Sequence, residues 1–190
     1  MPAEPVNFDR GIQPFGYGIM AERISETAGD IEAFRGQARA IDHVVRLNLT
    51  DITQQESLNQ PSPAENCLNW VLGHLLFVYQ KIFPLLGQEP VMGGAALDRY
   101  RRGSGPLGDS SEAVPWADLL EAWQEAGKRI EAGLASLSPE TLDSPAPFCP
   151  SNNPEETVRS LLAVIFFHQA YHSGQTGILR RLVGKKGAIA

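Results

Sequence analysis

Residues 153–184 read NPEETVRSLLAVIFFHQAYHSGQTGILRRLVG, and their pattern decides the fold class. Leu161, Ile165, His168, His172, Gln175 and Leu179 recur at three- and four-residue steps, so they share one side of an α-helix. The segment also carries its own boundaries. Asn153 can cap the helix, Pro154 fits its first turn, and Glu155 and Glu156 stand where the helix dipole favours negative charge. At the far end Arg180 and Arg181 suit the negative pole, and Gly184 can take the left-handed cap, which predicts an end near Val183.

Three upstream segments follow the same period. From Asp30 to Leu49, Ile31, Phe34, Ala38, Ile41, Val45 and Leu49 form an apolar stripe. Ser62-Pro63-Ala64-Glu65 has the composition of a capped start and predicts a second helix running to about Phe83. Pro115 opens a third, with Trp116, Leu119, Leu120, Trp123, Ile130, Leu134 and Leu137 on one face until Ser138-Pro139 stops it. Between Pro84 and Pro115 the chain is dense in Gly, Pro and Ser, with a basic cluster at Arg99, Arg101 and Arg102. Four helices and one long connection predict an all-α four-helix bundle with a crossover between helices 2 and 3. Residues 1–27 follow no period and read as an irregular arm, whose Phe8, Phe15 and Tyr17 offer a contact to a partner; residues 28–190 form one domain.

With 190 residues and 43% hydrophobic side chains, one continuous core is expected. Sixteen basic residues stand against 22 acidic ones, giving a formal charge of −6, which lacks the positive field that phosphate backbones require. A small molecule is the expected partner, not a nucleic acid. No stretch is long and apolar enough to span a bilayer, and Glu4 and Asp9 precede any Lys or Arg cluster, unlike a signal peptide. Cys67 and Cys149 make no CxxC pair, so a reducing cytoplasm is the expected compartment.

His168 and His172 stand four apart, so both imidazoles leave the same side of the last helix, on its core stripe. Imidazole nitrogen suits zinc, nickel, copper and iron, and a pair on adjacent turns can converge on one ion. On the second helix Cys67, Trp70, Val71, His74, Phe77 and Val78 form the corresponding stripe, which makes His74 the natural third ligand. The spacing also admits a hydrogen-bonded histidine cluster without metal, which would need a partner for each buried nitrogen. His43 falls off its helix's stripe and reads as a surface residue, and Cys67 reads as core. Gln169 follows His168, so HQAYH lacks the Glu that serves as general base in HExxH peptidases.

NWVLGHLLF around His74, preceded by SPAE, and FFHQAYHSGQTGILRRL around His168 and His172 together resemble the DinB-like (DinB/YfiT) metal-dependent enzymes, from about residue 30 to 184. The resemblance implies an up-down-down-up bundle, frequently a homodimer. It also implies one divalent ion (nickel, zinc, iron or manganese) on His74, His168 and His172, and in some members a low-molecular-weight thiol. Many relatives carry an acid where this chain has Gln169. The implied activity is metal-dependent thiol (S-)transfer or hydrolysis on a small electrophile. The alternative is a non-catalytic stress-response protein that binds a ligand or partner and whose metal is structural or adventitious.

Overall fold

The computed structural model describes residues 27–189. Its helices are α1 (Thr27–Leu49), α2 (Gln54–Ser57), α3 (Leu68–Ile82), α4 (Trp116–Ala135), α5 (Pro139–Asp143) and α6 (Val158–Leu182), with short 3₁₀ turns between α3 and α4. No strand occurs among the described residues. The expected arm, with Phe8, Phe15 and Tyr17, lies outside them but for Thr27, which opens α1.

The long helices form where the apolar period was read. Phe34, Ala38, Ile41, Val45 and Leu49 of α1 are buried, as are Trp116, Leu119, Trp123, Ile130 and Leu134 of α4. α1 packs on α4 and α6, and α3 packs on the same two, so each long helix has two long neighbours. Two helix starts differ from expectation. Ser62–Glu65 closes a turn of its own, Glu65 N donating to Ser62 O at 3.0 Å, and α3 begins after an extended Cys67. All residues from Leu68 to Leu76 are buried, so this helix starts where the chain becomes apolar on every side. α6 begins not at Asn153 but after Thr157, whose side chain caps Ser160 N. The cause is tertiary: Ala146 N donates to Glu156 O and Val158 N to Ser144 O, which holds residues 156–158 extended. The end matches expectation, with Gly184 left-handed at φ 79°. α4 ends at Ala135, capped by Ser136 just before the expected stop, and Ser138 caps Thr141 N and so starts α5 inside the expected loop.

The crossover is more ordered than its Gly and Pro content implied. Gly94–Tyr100 forms a 3₁₀ segment packed on α3, with Leu97 and Tyr100 fully buried. Arg99 cinches it, donating to Glu112 Oε2 at 2.8 Å, Gly105 O at 2.8 Å and Pro106 O at 2.6 Å. Arg101 and Arg102 are exposed, so the basic cluster divides into one structural and two free-standing members. No helix among the described residues is long and apolar enough to cross a membrane.

Candidate metal centre

The contact between α3 and α6 brings together the three histidines singled out from the sequence. One ring nitrogen from each of His74, His168 and His172 lies within 4.8 Å of the other two. Ring centroids stand 5.1 Å apart for His74 and His168, 4.9 Å for His74 and His172, and 4.5 Å for His168 and His172. His74 is buried and the two on α6 are half-buried, so the centre is closed on the α3 side and open on the other. His43 is exposed on α1 and takes no part, and Cys67 is fully buried at the start of α3.

Two of the rings have their outer nitrogens fixed. His74 Nδ1 donates to the Tyr100 carbonyl at 2.6 Å, which leaves Nε2 as a lone pair facing His168 Nε2 at 3.2 Å. His172 Nδ1 donates to Gln175 Oε1 at 2.6 Å, which frees its Nε2 in the same way. His168 Nδ1 is buried and has no partner among the described residues, so that ring lacks the outer bond the other two have. The indole of Trp70 lies flat on His74, centroids 4.8 Å apart and planes at 16°, and Tyr171 meets His172 edge-on.

All three rings are held neutral. Burial pushes His168 down to about 3, and a proton on it would also meet repulsion from His172, His74 and Arg102. Burial also lowers His74, against the Tyr100 carbonyl bond that raises it, and lowers His172, against the Gln175 bond. Neutral imidazole is the form that binds metal. Two ligands of one tetrahedral ion, each about 2.0–2.1 Å from it, stand about 3.3 Å apart, close to the His74–His168 separation. A hydrogen bond has that length as well. Yet His74–His168 is the one such bond among the three rings, whereas three converging donor atoms suit a single cation.

Gln169 plays a part other than the acid it replaces. It is fully buried and Nε2 donates to Leu75 O at 3.0 Å, fastening α6 to the residue beside His74. Sequence reasoning missed the crossover's contribution. The Tyr100 hydroxyl donates to Asn69 Oδ1 at 2.9 Å and accepts from Val114 N at 2.7 Å, while Asn69 Nδ2 donates to Val114 O at 3.0 Å. This network locks the carbonyl that orients His74. One signal was present: Gly73 interrupts an apolar helix next to His74, and a Cβ there would fall 2.4 Å from the Tyr100 ring.

The fold and site together define a helical protein with a three-histidine cluster compatible with metal binding. The DinB superfamily model matches residues 37–176, which include all three histidines, and the chain belongs to that superfamily. Among solved structures, a conserved protein from Enterococcus faecalis is similar in fold, with a TM-score of 0.65 and 17% identity over 81% of this chain and 97% of that one. No curated protein matches the chain.

Proposed function

We propose that this protein is a metal-dependent enzyme in which His74, His168 and His172 hold one divalent ion, of nickel, zinc, iron or manganese. The observation that carries this reading is the convergence of three neutral imidazoles, two of them with outer N–H groups already committed. The reaction is transfer to or hydrolysis of a small electrophile, with thiol transfer favoured. A divalent ion held there supplies Lewis acidity and lowers the pKa of a thiol or water, which removes the need for a general base at position 169. The Tyr100 carbonyl and Gln175 keep the lone pairs of His74 and His172 aimed inward, and Trp70 excludes water from one side of His74.

The half-buried His168 and His172 leave the centre accessible, which favours catalysis over a closed structural site in a stress-response binding protein. The finer architecture of the proposal is up-down-down-up, for which residues 83–115 are long enough to run the length of the bundle between α3 and α4. A homodimer is part of it: Tyr171 and Ile178, each 62% exposed, and Leu182, 47% exposed, give α6 an apolar outer face that a second copy can cover. The free thiols of Cys67 and Cys149 accord with a reducing cytoplasm.

Elemental analysis of the full chain beside a His168→Ala, His172→Ala double variant tests the metal. The expected result is about one ion per chain, lost in the variant. No metal after reconstitution with nickel, zinc, iron or manganese overturns the enzyme reading.

A further inference from the structure

The crossover turn beside the histidines carries a guanidinium, that of Arg102, with no ion pair among the described residues. Ser104 N donates to Arg101 O at 3.1 Å, and Gly103 is left-handed at φ 82°, so Arg102 and Gly103 are the two corner residues of a tight turn. That turn is tied to the metal centre twice. Trp70 Nε1 donates to Ser104 Oγ at 3.3 Å while its ring stacks on His74, and the Tyr100 carbonyl just before the turn accepts from His74 Nδ1. The backbone under Arg102 is therefore fixed relative to the centre, while its side chain is exposed and makes no ion pair among the described residues. Arg99, three residues earlier, is fully engaged by Glu112 and two carbonyls.

The charge around the centre is one-sided. The cluster consists of three histidines and no carboxylate, on a chain whose formal charge is −6. Three neutral ligands leave a divalent ion its full charge, and a guanidinium beside it adds another. Such a site favours a ligand with two negative groups, and the planar fork of arginine matches a carboxylate.

We propose that the small molecule taken by the histidine centre carries a second, anionic group of the carboxylate type, and that Arg102 at the rim receives it. The inference rests on the metal reading and names the substrate class for that site. The direct probe is calorimetric titration of zinc-loaded full chain with 3-mercaptopropionate and with its methyl ester, in wild type and Arg102→Gln, with zinc measured in both. Wild type is expected to bind the acid about tenfold more tightly than the ester, and Arg102→Gln to lose that preference while keeping its zinc and its affinity for the ester. Equal binding of acid and ester in wild type, binding of neither, or a preference that survives in Arg102→Gln overturns the proposal, even with zinc bound. Failure of the chain to hold zinc removes the metal reading and this one together, so the zinc measurement separates the two failures.

Discussion

Two of the places where this helical fold encloses polar atoms treat them differently. Between α3 and α6, the outer nitrogens of His74 and His172 are satisfied and the inner lone pairs converge. Beside α1, α3 and α4, a cavity of about 50 Å³ is lined by Asp42, Tyr79, Trp123 and Glu131, among others. Asp42 Oδ1, Trp123 Nε1 and Glu131 Oε2 have no hydrogen-bond partner among the described residues. The unmatched atoms there are two acceptors and a donor, which suits water in a space large enough to hold it. Three imidazole nitrogens within 4.8 Å of one another instead suit a single cation. Binding chemistry thus follows from the type and convergence of the unmatched groups, not from their number.

The largest expected effect comes from breaking the support of the histidine region at Gly73. Its missing Cβ would lie 2.4 Å from the buried Tyr100 ring, so Gly73→Ala must displace the crossover whose carbonyl orients His74. We expect a stability loss of about 1–3 kcal/mol from overpacking, although Ala is the better helix former. Metal affinity should fall by about 10–100-fold, read by competition with a chelator. Gly174→Ala is the control: nothing lies within 4 Å of the point its Cβ would occupy, so helix propensity should stabilise the chain by up to about 1 kcal/mol. Equivalent behaviour of the two variants would remove Tyr100 from the account of the site.

The second test separates the regions by pH. In metal-free protein His168 is pushed down to about 3 from an ordinary 6.5, chiefly by burial. Above 6.5 the ring is neutral in folded and unfolded chains alike, so its contribution does not vary with pH. Below that value the unfolded chain takes up the proton first, and stability falls until the folded ring titrates near 3. Burial lowers His74 and His172 too, and they act in the same direction. The thermal midpoint of metal-free wild type should therefore drop between about pH 7 and about pH 5 by more than that of His168→Gln. Parallel drops would assign the acid sensitivity elsewhere. If the histidines hold an ion as proposed, the same protonation competes with it, and metal release is expected as pH falls.

What could be read in advance divides along similar physical lines. The stripes of α1, α4 and α6 were legible because burial on one face of a helix imposes a local period, and the HxxxH spacing is equally local. His74 was placed with its partners because its stripe on α3 pointed to the same core. The starts of α3 and α6 were not legible. Ser62 and Asn153 have capping chemistry, but a local turn uses the first, and the pairing of residues 144–146 with 156–158 keeps the helix from starting at the second. Tyr100 was hidden for another reason. Its link to His74 spans 26 residues, most of them in a connection without any period, and only the glycine at position 73 marks where its ring comes to lie.

The smallest effect is expected at the cavity, and it sharpens the comparison from the other side. Trp123 Nε1 donates to no protein atom among the described residues, while its ring stacks on Tyr79 with centroids 5.5 Å apart. Trp123→Phe therefore removes no direct hydrogen bond and keeps an aromatic face against Tyr79. The loss should be about 1–2 kcal/mol for the missing ring volume, with metal content unchanged, as measured by denaturant unfolding and elemental analysis. A loss above about 3 kcal/mol would mean that the indole N–H is bound through water to Asp42 and Glu131 as part of a cooperative network. The cavity would then be a satisfied polar core in its own right, and the contrast with the histidine centre would reduce to the convergence of its lone pairs.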